Sequence, residues 1–414
     1  MRVITLSIVA AKSGVLSLSL DGEGGIAPVN VEGSPPEIVE SLRADPSRLE
    51  QFLMPTLVRA LRQWGMNEPG TSILAIVCEV SELDGIPWEH LPRVLEIQSV
   101  SVVRQVRQKH PIPDSRAKDA QVLLAAGWSG KPKFRLPGIM EELSALGNLC
   151  AAAGRSAQVL FDPTLEELTS ACASSKPYVL HVVPPAIDTD SGAPRVVLSG
   201  VDDIQFVDVD PFLSILPKDH HPHLVVVNSC SSGAGKQGPS LTRMIVERWS
   251  TIAIGWLGIV EDLAAADFTR FLYSRLLEGH LLSEVMRAYE SLQSAMRNAE
   301  QPARDLGELL YVKPMANYRP VPVIWTQDLA AVAEPVFPLR TTSTDVSETG
   351  EGLAGATGGH VPRGSRAAKP KSVTPPDRKE PVAEPAEVAS PRLELLFEPQ
   401  PWLNPALLKN GRPA

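Results

Sequence analysis

Cysteine is scarce in this chain. Only four cysteines occur among 414 residues, namely Cys78, Cys150, Cys172 and Cys230, and no two of them form a CxxC pair. This spacing argues against a disulfide framework and against a structural zinc site. A reducing cytoplasm is therefore the expected compartment.

Long apolar runs and excess positive charge are also lacking. No run approaches the roughly 18 apolar residues that a membrane-spanning helix needs. The apolar run at residues 4–11 is short for a signal peptide, and the alternating Leu16, Leu18 and Leu20 behind it predict a β-hairpin. With 48 acidic against 39 basic residues the net charge is -9, so we expect neither a nucleic-acid partner nor association with a membrane.

Proline is unevenly distributed and marks a boundary. Residues 331–414 hold 13 of the 38 prolines, which leaves 25 for the first 330 residues. This tail is also rich in glycine and polar residues, a composition that buries too little apolar surface to fold, so we expect residues 331–414 to be disordered. Residues 393–408 form an apolar island inside the tail. Either they dock onto a partner or they have no function.

Short apolar runs alternate with helical stretches in the first 330 residues, which predicts an α/β fold with helices flanking a mostly parallel sheet. The runs that indicate buried strands are 71–80, 121–126, 178–183, 224–228 and 251–256. Helices are indicated at 47–64, with a break near Pro55, and at 138–153, 164–174, 238–248 and 264–278. Thr164 and Glu167 predict a capping box. We divide this part into an N-terminal hairpin and helix, 1–70, and a main domain, 71–330.

Cys230 directly follows one of the predicted buried strands, in the segment Asn228-Ser-Cys-Ser-Ser-Gly233. Backbone N–H groups of a loop in this position can activate a thiol and stabilise an oxyanion. Free cysteines are also among the most frequently buried residues, so a purely structural cysteine is the alternative.

Five short motifs follow one another along residues 70–330. They are residues 83–91 (Leu-Asp-Gly-Ile-Pro-Trp-Glu-His-Leu), 141–146 (Glu-Glu-Leu-Ser-Ala-Leu), 228–233, 252–256 (Ile-Ala-Ile-Gly-Trp) and 321–325 (Val-Pro-Val-Ile-Trp). The series resembles the CHAT family, a caspase-like domain related to the clan CD cysteine peptidases and common in bacteria. The resemblance implies a caspase-like sheet, Cys230 as the nucleophile and a protein as substrate or partner.

The sequence departs from the family at the position of the general base. The family places a histidine in a strand, followed after two residues by a Gly-His-Gly-like turn that carries the catalytic histidine. His181 matches the strand histidine, but Pro185 occupies the catalytic position. Proline has no titratable group and no N–H, so it can neither accept a proton from Cys230 nor help to hold an oxyanion.

No other histidine replaces the missing one in the sequence. His181 lies four residues before Pro185, roughly 13 Å along the strand, and is predicted to be a hydrogen-bonded core residue. The other histidines considered are His90, His110, His280 and the cluster His220, His221 and His223, which precedes the strand of Cys230. That cluster is more typical of a solvated turn than of a metal site, and we expect neither a metal nor a cofactor. Asp188 and Asp190 follow Pro185, but a nearby carboxylate disfavours a thiolate.

These observations leave two main hypotheses. In the first, the chain keeps the caspase-like scaffold and Cys230 but has lost its catalytic pair, and it acts as a partner-binding or signalling module. In the second, it is an active cysteine endopeptidase whose base is unrecognised or is supplied by a partner. An imidazole within about 4 Å of the Cys230 sulfur would favour the second. A relative in fold alone, with an unrelated ligand, is the third alternative.

Overall fold

The computed structural model describes residues 2–11, 15–22, 26–66, 72–97, 100–107, 121–127, 138–184, 186–188, 194–200, 204–234, 239–305 and 320–337. Within these ranges the chain forms an eleven-stranded sheet, a separate three-stranded sheet and helices packed against them. The apolar segment 393–408 and nearly all of the predicted disordered tail lie outside the described residues.

Fourteen strands occur in the described part of the chain. They are β1 (Arg2–Ala10), β2 (Leu16–Asp21), β3 (Ile26–Val31), β4 (Ser72–Cys78), β5 (Val100–Gln105), β6 (Val122–Ala126), β7 (Ala157–Phe161), β8 (Val179–Val183), β9 (Ala186–Asp188), β10 (Pro194–Ser199), β11 (Ile204–Asp208), β12 (Leu224–Val227), β13 (Ile252–Leu257) and β14 (Val321–Thr326). The five predicted strands correspond to β4, β6, β8, β12 and β13. The alternating leucines near the N-terminus form the predicted hairpin of β1 with β2.

The described helices are α1 (Pro35–Ala44), α2 (Leu49–Phe52), α3 (Met54–Met66), α4 (Leu91–Val94), α5 (Gly138–Ala152), α6 (Leu165–Ser175), α7 (Val209–Phe212), α8 (Leu241–Arg248), α9 (Asp262–Leu277), α10 (Leu282–Asp305) and α11 (Leu329–Val332). None of them is long and apolar enough to cross a membrane. The predicted break near Pro55 falls between α2 and α3, where Met54 adopts a φ of 67°. Thr164 and Glu167 form the predicted capping box of α6.

The order of strands in the large sheet is β3-β2-β1-β4-β5-β14-β13-β12-β8-β6-β7. Seven of the ten neighbouring pairs are parallel, which confirms the mostly parallel sheet. β14 is antiparallel to β13, so β12, β8 and β6 run opposite to β4 and β5. The strands that carry the candidate site therefore end at the edge opposite to the end of β4.

Alternate residues of the central strands face two different apolar cores. Val122 and Leu124 of β6 pack in a core with Leu143 of α5. Leu123, between them, packs on the other face in a core with Leu168 of α6. Strands covered on both faces read as continuous apolar runs, which is why the sequence revealed them.

Two features differ from the sequence prediction. A three-stranded antiparallel sheet, β9-β10-β11, follows β8 directly, in a stretch without a predicted strand. The folded body also continues through the predicted start of the tail, because Val332, Val336 and Phe337 are almost fully buried. Burial of these side chains stabilises residues 331–337, so their local composition was a poor guide.

Candidate functional site

Cys230 lies just beyond the carboxyl end of β12, next to β8. The two strands are parallel, with Val227 opposite Val182, and the Asn228 N–H donates to the Val182 carbonyl over 2.9 Å. β12 and β8 are therefore neighbours in the sheet. β8 is followed by the buried Pro184, whereas Pro185 lies outside the described residues.

The turn after Cys230 is held by a dense set of hydrogen bonds. Ser231 adopts a φ of 55°, a left-handed conformation that is costly for a non-glycine residue, and its N–H donates to the Gly258 carbonyl over 2.7 Å. The Ser232 hydroxyl donates to the Val227 carbonyl over 3.0 Å and accepts from the Trp256 N–H over 3.0 Å. β12 and β13 thus fix the turn from both sides.

Gly233 allows this turn to lie directly on the sheet. Its N–H donates to the Trp256 carbonyl over 2.9 Å. A Cβ at Gly233 would lie 2.2 Å from Cγ2 of Val323, a distance at which β14 would have to move. The glycine in the Asn228-to-Gly233 motif therefore has a packing role.

We expect Gly233→Ala to lower the free energy of unfolding by about 1–3 kcal/mol, because the added methyl group overpacks the contact with Val323. The measurement is urea denaturation. Gly147→Ala in α5 is the matched control, since its Cβ would lie 3.7 Å from Cγ2 of Val159, an ordinary contact. That variant should be neutral or more stable by up to about 1 kcal/mol. Equal stability of the two variants would contradict the packing role.

The thiol of Cys230 differs from the other three in its exposure. Cys230 is partly exposed, and its Sγ donates to the Val260 carbonyl over 3.5 Å. Burial raises the pKa of Cys78 to about 12, that of Cys150 to about 11 and that of Cys172 to about 12. These three thiols are therefore poor nucleophiles at neutral pH.

A buried polar network lies beneath the turn, centred on Glu142 of α5. Its Oε1 accepts from Nδ2 of Asn228 and from Oγ1 of Thr269, each over 2.7 Å. Asn228 Oδ1 in turn accepts from Nε1 of Trp256 over 2.6 Å. The network thus links α5, α9 and β13 to Asn228, which follows β12 directly and lies two residues before Cys230.

His181 belongs to this network and is fully buried, as the sequence predicted. Its Nε2 lies 3.2 Å from Oε1 of Glu142, and its Nδ1 has no hydrogen-bond partner among the described residues. The ring also packs edge-on against Tyr273 at 5.6 Å between centroids.

Sequence reasoning missed the role of Glu142. This residue is fully buried, yet a glutamate on a helix is usually solvated. Ile139, Leu143, Leu146 and Cys150 form the buried stripe of α5, and Glu142 lies on the same face. A carboxylate on an apolar stripe was the signal that could have identified it.

A second buried ionic cluster anchors the start of α8. Asp84 accepts from the Ser240 N–H over 3.0 Å and from Nη1 of Arg243 over 2.9 Å. Burial raises the pKa of Asp84 to about 6, although the neighbouring Arg243 acts in the opposite direction. The guanidinium carbons of Arg243 and Arg104 each lie 5.6 Å from the centroid of the Trp325 ring. α8 follows the Cys230 turn in the chain, so this cluster fixes the C-terminal end of the segment that connects the turn to α8.

The described histidines serve other parts of the fold. His220 Nε2 lies 2.8 Å from the Pro177 carbonyl and His221 Nδ1 lies 2.9 Å from the Trp249 carbonyl. His223 stacks on Tyr178 at 5.0 Å between centroids. These three residues precede β12, at the edge opposite to Cys230. They are thus tied to neighbouring segments, in contrast to the solvated turn that the sequence favoured.

His90 and His280 are also placed away from the strand ends that carry the site. His90 lies in the turn Trp88–His90, which contacts β5, three strand positions from β12. His280 lies at the end of α9, 3.4 Å from Oε2 of Glu278. His110 lies outside the described residues. Asp188 belongs to β9, and Asp190 is also outside the described part of the chain.

Comparison with known proteins identifies the family. The family model of the CHAT domain matches residues 44–333, and no curated protein matches the chain. One similar solved structure is a secreted C11 cysteine protease from Bacteroides thetaiotaomicron bound to an irreversible peptide inhibitor, with 8% identity and a TM-score of 0.26. That alignment covers 38% of this chain and about half, 53%, of the protease. On the family match, which extends over more than half of its residues, the chain belongs to the CHAT domain family and carries a cysteine-peptidase-related domain.

Proposed function

We propose that this chain is a catalytically impaired cysteine-peptidase homologue that acts as a partner-binding or signalling module. The observation that carries the proposal is the proline at the family's histidine position, Pro185, which follows the residues of β8 in the sequence. A cysteine nucleophile needs a base within hydrogen-bond reach of its proton. The described residues directly after β8 (184 and 186–188) and directly after β12 (228–234) include no histidine.

The contact of the Cys230 thiol supports the same proposal. Its Sγ lies 3.5 Å from the Val260 carbonyl oxygen and acts as the donor. A thiol can donate in this geometry, whereas a thiolate would face the partial negative charge of the carbonyl.

The hydrogen-bonded turn at residues 231–233 supports a binding role that does not depend on catalysis. Ser232, Gly233 and the strained Ser231 still hold the loop at the edge of the sheet. Surfaces on loops that a rigid scaffold positions are common binding sites. The partner is then a protein, and residues 393–408 are a candidate second docking segment. None of the four cysteines, which all lie in the described part of the chain, forms a disulfide, and this suits the reducing cytoplasm of a bacterium.

The second candidate function is an active cysteine endopeptidase with Cys230 as nucleophile. The hydrogen-bonded turn also supports this alternative, because catalysis likewise needs a nucleophile loop that is held in place. The base would then come from a partner or from residues outside the described part of the chain.

Iodoacetamide labelling tests the state of Cys230. We expect slow alkylation at neutral pH, at about the rate of an unassisted thiol, which is only a few per cent thiolate at pH 7. Peptide mapping by mass spectrometry gives the rate for Cys230 alone, and the buried Cys78, Cys150 and Cys172 should stay unlabelled until the protein is unfolded. Rapid alkylation of Cys230 at mildly acidic pH would overturn the proposal.

A capture experiment separates binding from proteolysis. The full chain and its Cys230→Ala variant are used to capture proteins from the host, and the captured proteins are analysed for cleavage. We expect the same intact partner in both samples. A partner that is intact with the Cys230→Ala variant but cleaved with the unaltered chain would establish the endopeptidase instead.

A further inference from the structure

Three exposed apolar side chains lie next to the Cys230 turn, and we call them the apolar rim. They are Met140, Ile259 and Leu263, with 46%, 45% and 59% of their surface exposed. Met140 and Leu263 are close because the N-terminus of α5 meets that of α9, where the Gly138 N–H donates to a carboxylate oxygen of Asp262.

Ile259 connects this rim to the turn. Its preceding neighbour, Gly258, accepts the N–H of Ser231, and its following neighbour, Val260, accepts the thiol of Cys230. The side chain of Ile259 is exposed although both neighbours are fixed against the turn. A group of large apolar side chains that face solvent beside a positioned loop is typical of an interaction surface, whereas single exposed residues are not.

Acidic side chains outnumber basic ones among the described residues next to the rim. Glu141, Glu261, Asp262 and Asp267 lie at or near the starts of α5 and α9, and the side chains of Glu141 and Asp267 are 69% and 74% exposed. Arg270 contacts Glu141 over 2.9 Å and Asp267 over 3.3 Å. Within the described segments 138–141 and 259–270, these four carboxylates thus exceed the single guanidinium of Arg270.

The helix N-termini do not reverse this sign. The partial positive charge at a helix start favours an anion, but Asp262 of this chain already accepts the first N–H of α5. An acidic ligand would therefore meet the exposed carboxylates, whereas a cationic ligand would complement them.

We propose that the apolar rim binds a polypeptide segment of a partner protein in which a large apolar side chain is flanked by lysine or arginine. This inference rests on the proposed binding function and specifies which residue types the partner's bound segment contains. The apolar side chain would bury Met140, Ile259 and Leu263, and the cationic side chains would contact Glu261 and the neighbouring carboxylates. Apolar burial then supplies affinity, while charge selects among partners.

The test uses three pools of fluorescent nonapeptides that share a central leucine. The positions beside it are lysine in the first pool, glutamate in the second and serine in the third, and all others are random. Binding to the full chain is measured by fluorescence anisotropy. We expect the lysine pool to bind at least about tenfold more tightly than the glutamate pool, with the serine pool between them and the difference reduced by salt.

Variants locate the binding surface. Leu263→Ser should weaken binding of the lysine pool by about tenfold, and Glu261→Lys should reduce its advantage over the glutamate pool. Phe206→Ser is the matched control, because Phe206 is 50% exposed but lies on β11 of the separate small sheet. Equal thermal unfolding temperatures would show that the variants fold.

The outcomes distinguish this inference from the proposed function. Equal binding of all pools, or equal loss with Phe206→Ser and Leu263→Ser, would overturn the assignment of the rim. Slow alkylation of Cys230 together with such a result would leave the proposed function in place. Rapid alkylation would overturn the proposed function while a preference for the lysine pool still supported the rim as a substrate-binding surface.

Discussion

Replacing Glu142 by alanine is expected to lower the free energy of unfolding by about 3–5 kcal/mol. Oε1 of Glu142 is the common acceptor for Asn228 and Thr269, at 2.7 Å each, and lies 3.2 Å from His181. Without the carboxylate, Thr269 could still donate to the Ala266 carbonyl over 3.0 Å, but Nδ2 of Asn228 would lose its acceptor in the core, and an unpaired buried polar group costs about 1–3 kcal/mol. Urea denaturation followed by circular dichroism measures the loss.

Two controls show whether the buried carboxylate is responsible. Glu141→Ala changes the neighbouring residue, whose exposed carboxylate contacts Arg270 at the surface, and should alter stability by no more than about 1 kcal/mol. Glu142→Gln keeps an oxygen acceptor and should cost less than the alanine variant. If Glu142→Ala proved no more destabilising than Glu141→Ala, Glu142 would not be the centre of the network.

The central strands were predictable because their burial is visible locally. β8 reads Val-Leu-His-Val-Val and β12 reads Leu-Val-Val-Val, and all nine of these positions are buried. A strand covered by helices on both faces has no polar face, so its run of apolar residues is continuous. The same argument explains β4, β6 and β13.

The order of the strands in the sheet was harder to predict from the sequence. β14 pairs with β13 along six residues but with β5 only at Trp325 and Thr326. This insertion of the last described strand into the middle of the sheet depends on contacts between distant segments, for which the sequence of β14 contains no local signal. The sheet β9-β10-β11 was missed because it lacks continuous buried runs, as in β11 (Ile204–Asp208), where only Val207 is buried.

Only the part of the site that lies within a family motif could be predicted from the sequence. Cys230 followed from the family resemblance together with its place after a buried strand. The Glu142 network could not be predicted, because its members come from separate elements of the fold. Residue type alone also does not distinguish a buried glutamate from an exposed one. Only the position of Glu142 on the apolar stripe of α5 distinguished it, and this signal requires the helix to be assigned first.

Restoring the family pattern is expected to activate Cys230. The double substitution Pro184→Gly with Pro185→His places an imidazole in the sequence that follows β8. β8 pairs directly with β12, the strand that precedes Cys230. An imidazolium next to a thiol stabilises the thiolate, so alkylation at pH 6–7 should accelerate by about tenfold or more over the unaltered chain. Iodoacetamide labelling across this pH range, with Cys230 quantified by peptide mapping, measures the effect.

Pro184→Gly with Pro185→Gln separates the imidazole from the backbone change, because both double variants lose the same two proline rings. We expect the glutamine variant to label at nearly the original rate. Equal acceleration of both variants would mean that the prolines restrain the loop and that the imidazole is irrelevant. No acceleration of either, with thermal unfolding unchanged, would mean that position 185 does not face Cys230. Acceleration of the histidine variant alone would show that an imidazole at position 185 activates Cys230 in a turn that Ser231, Ser232 and Gly233 already hold in the unaltered chain.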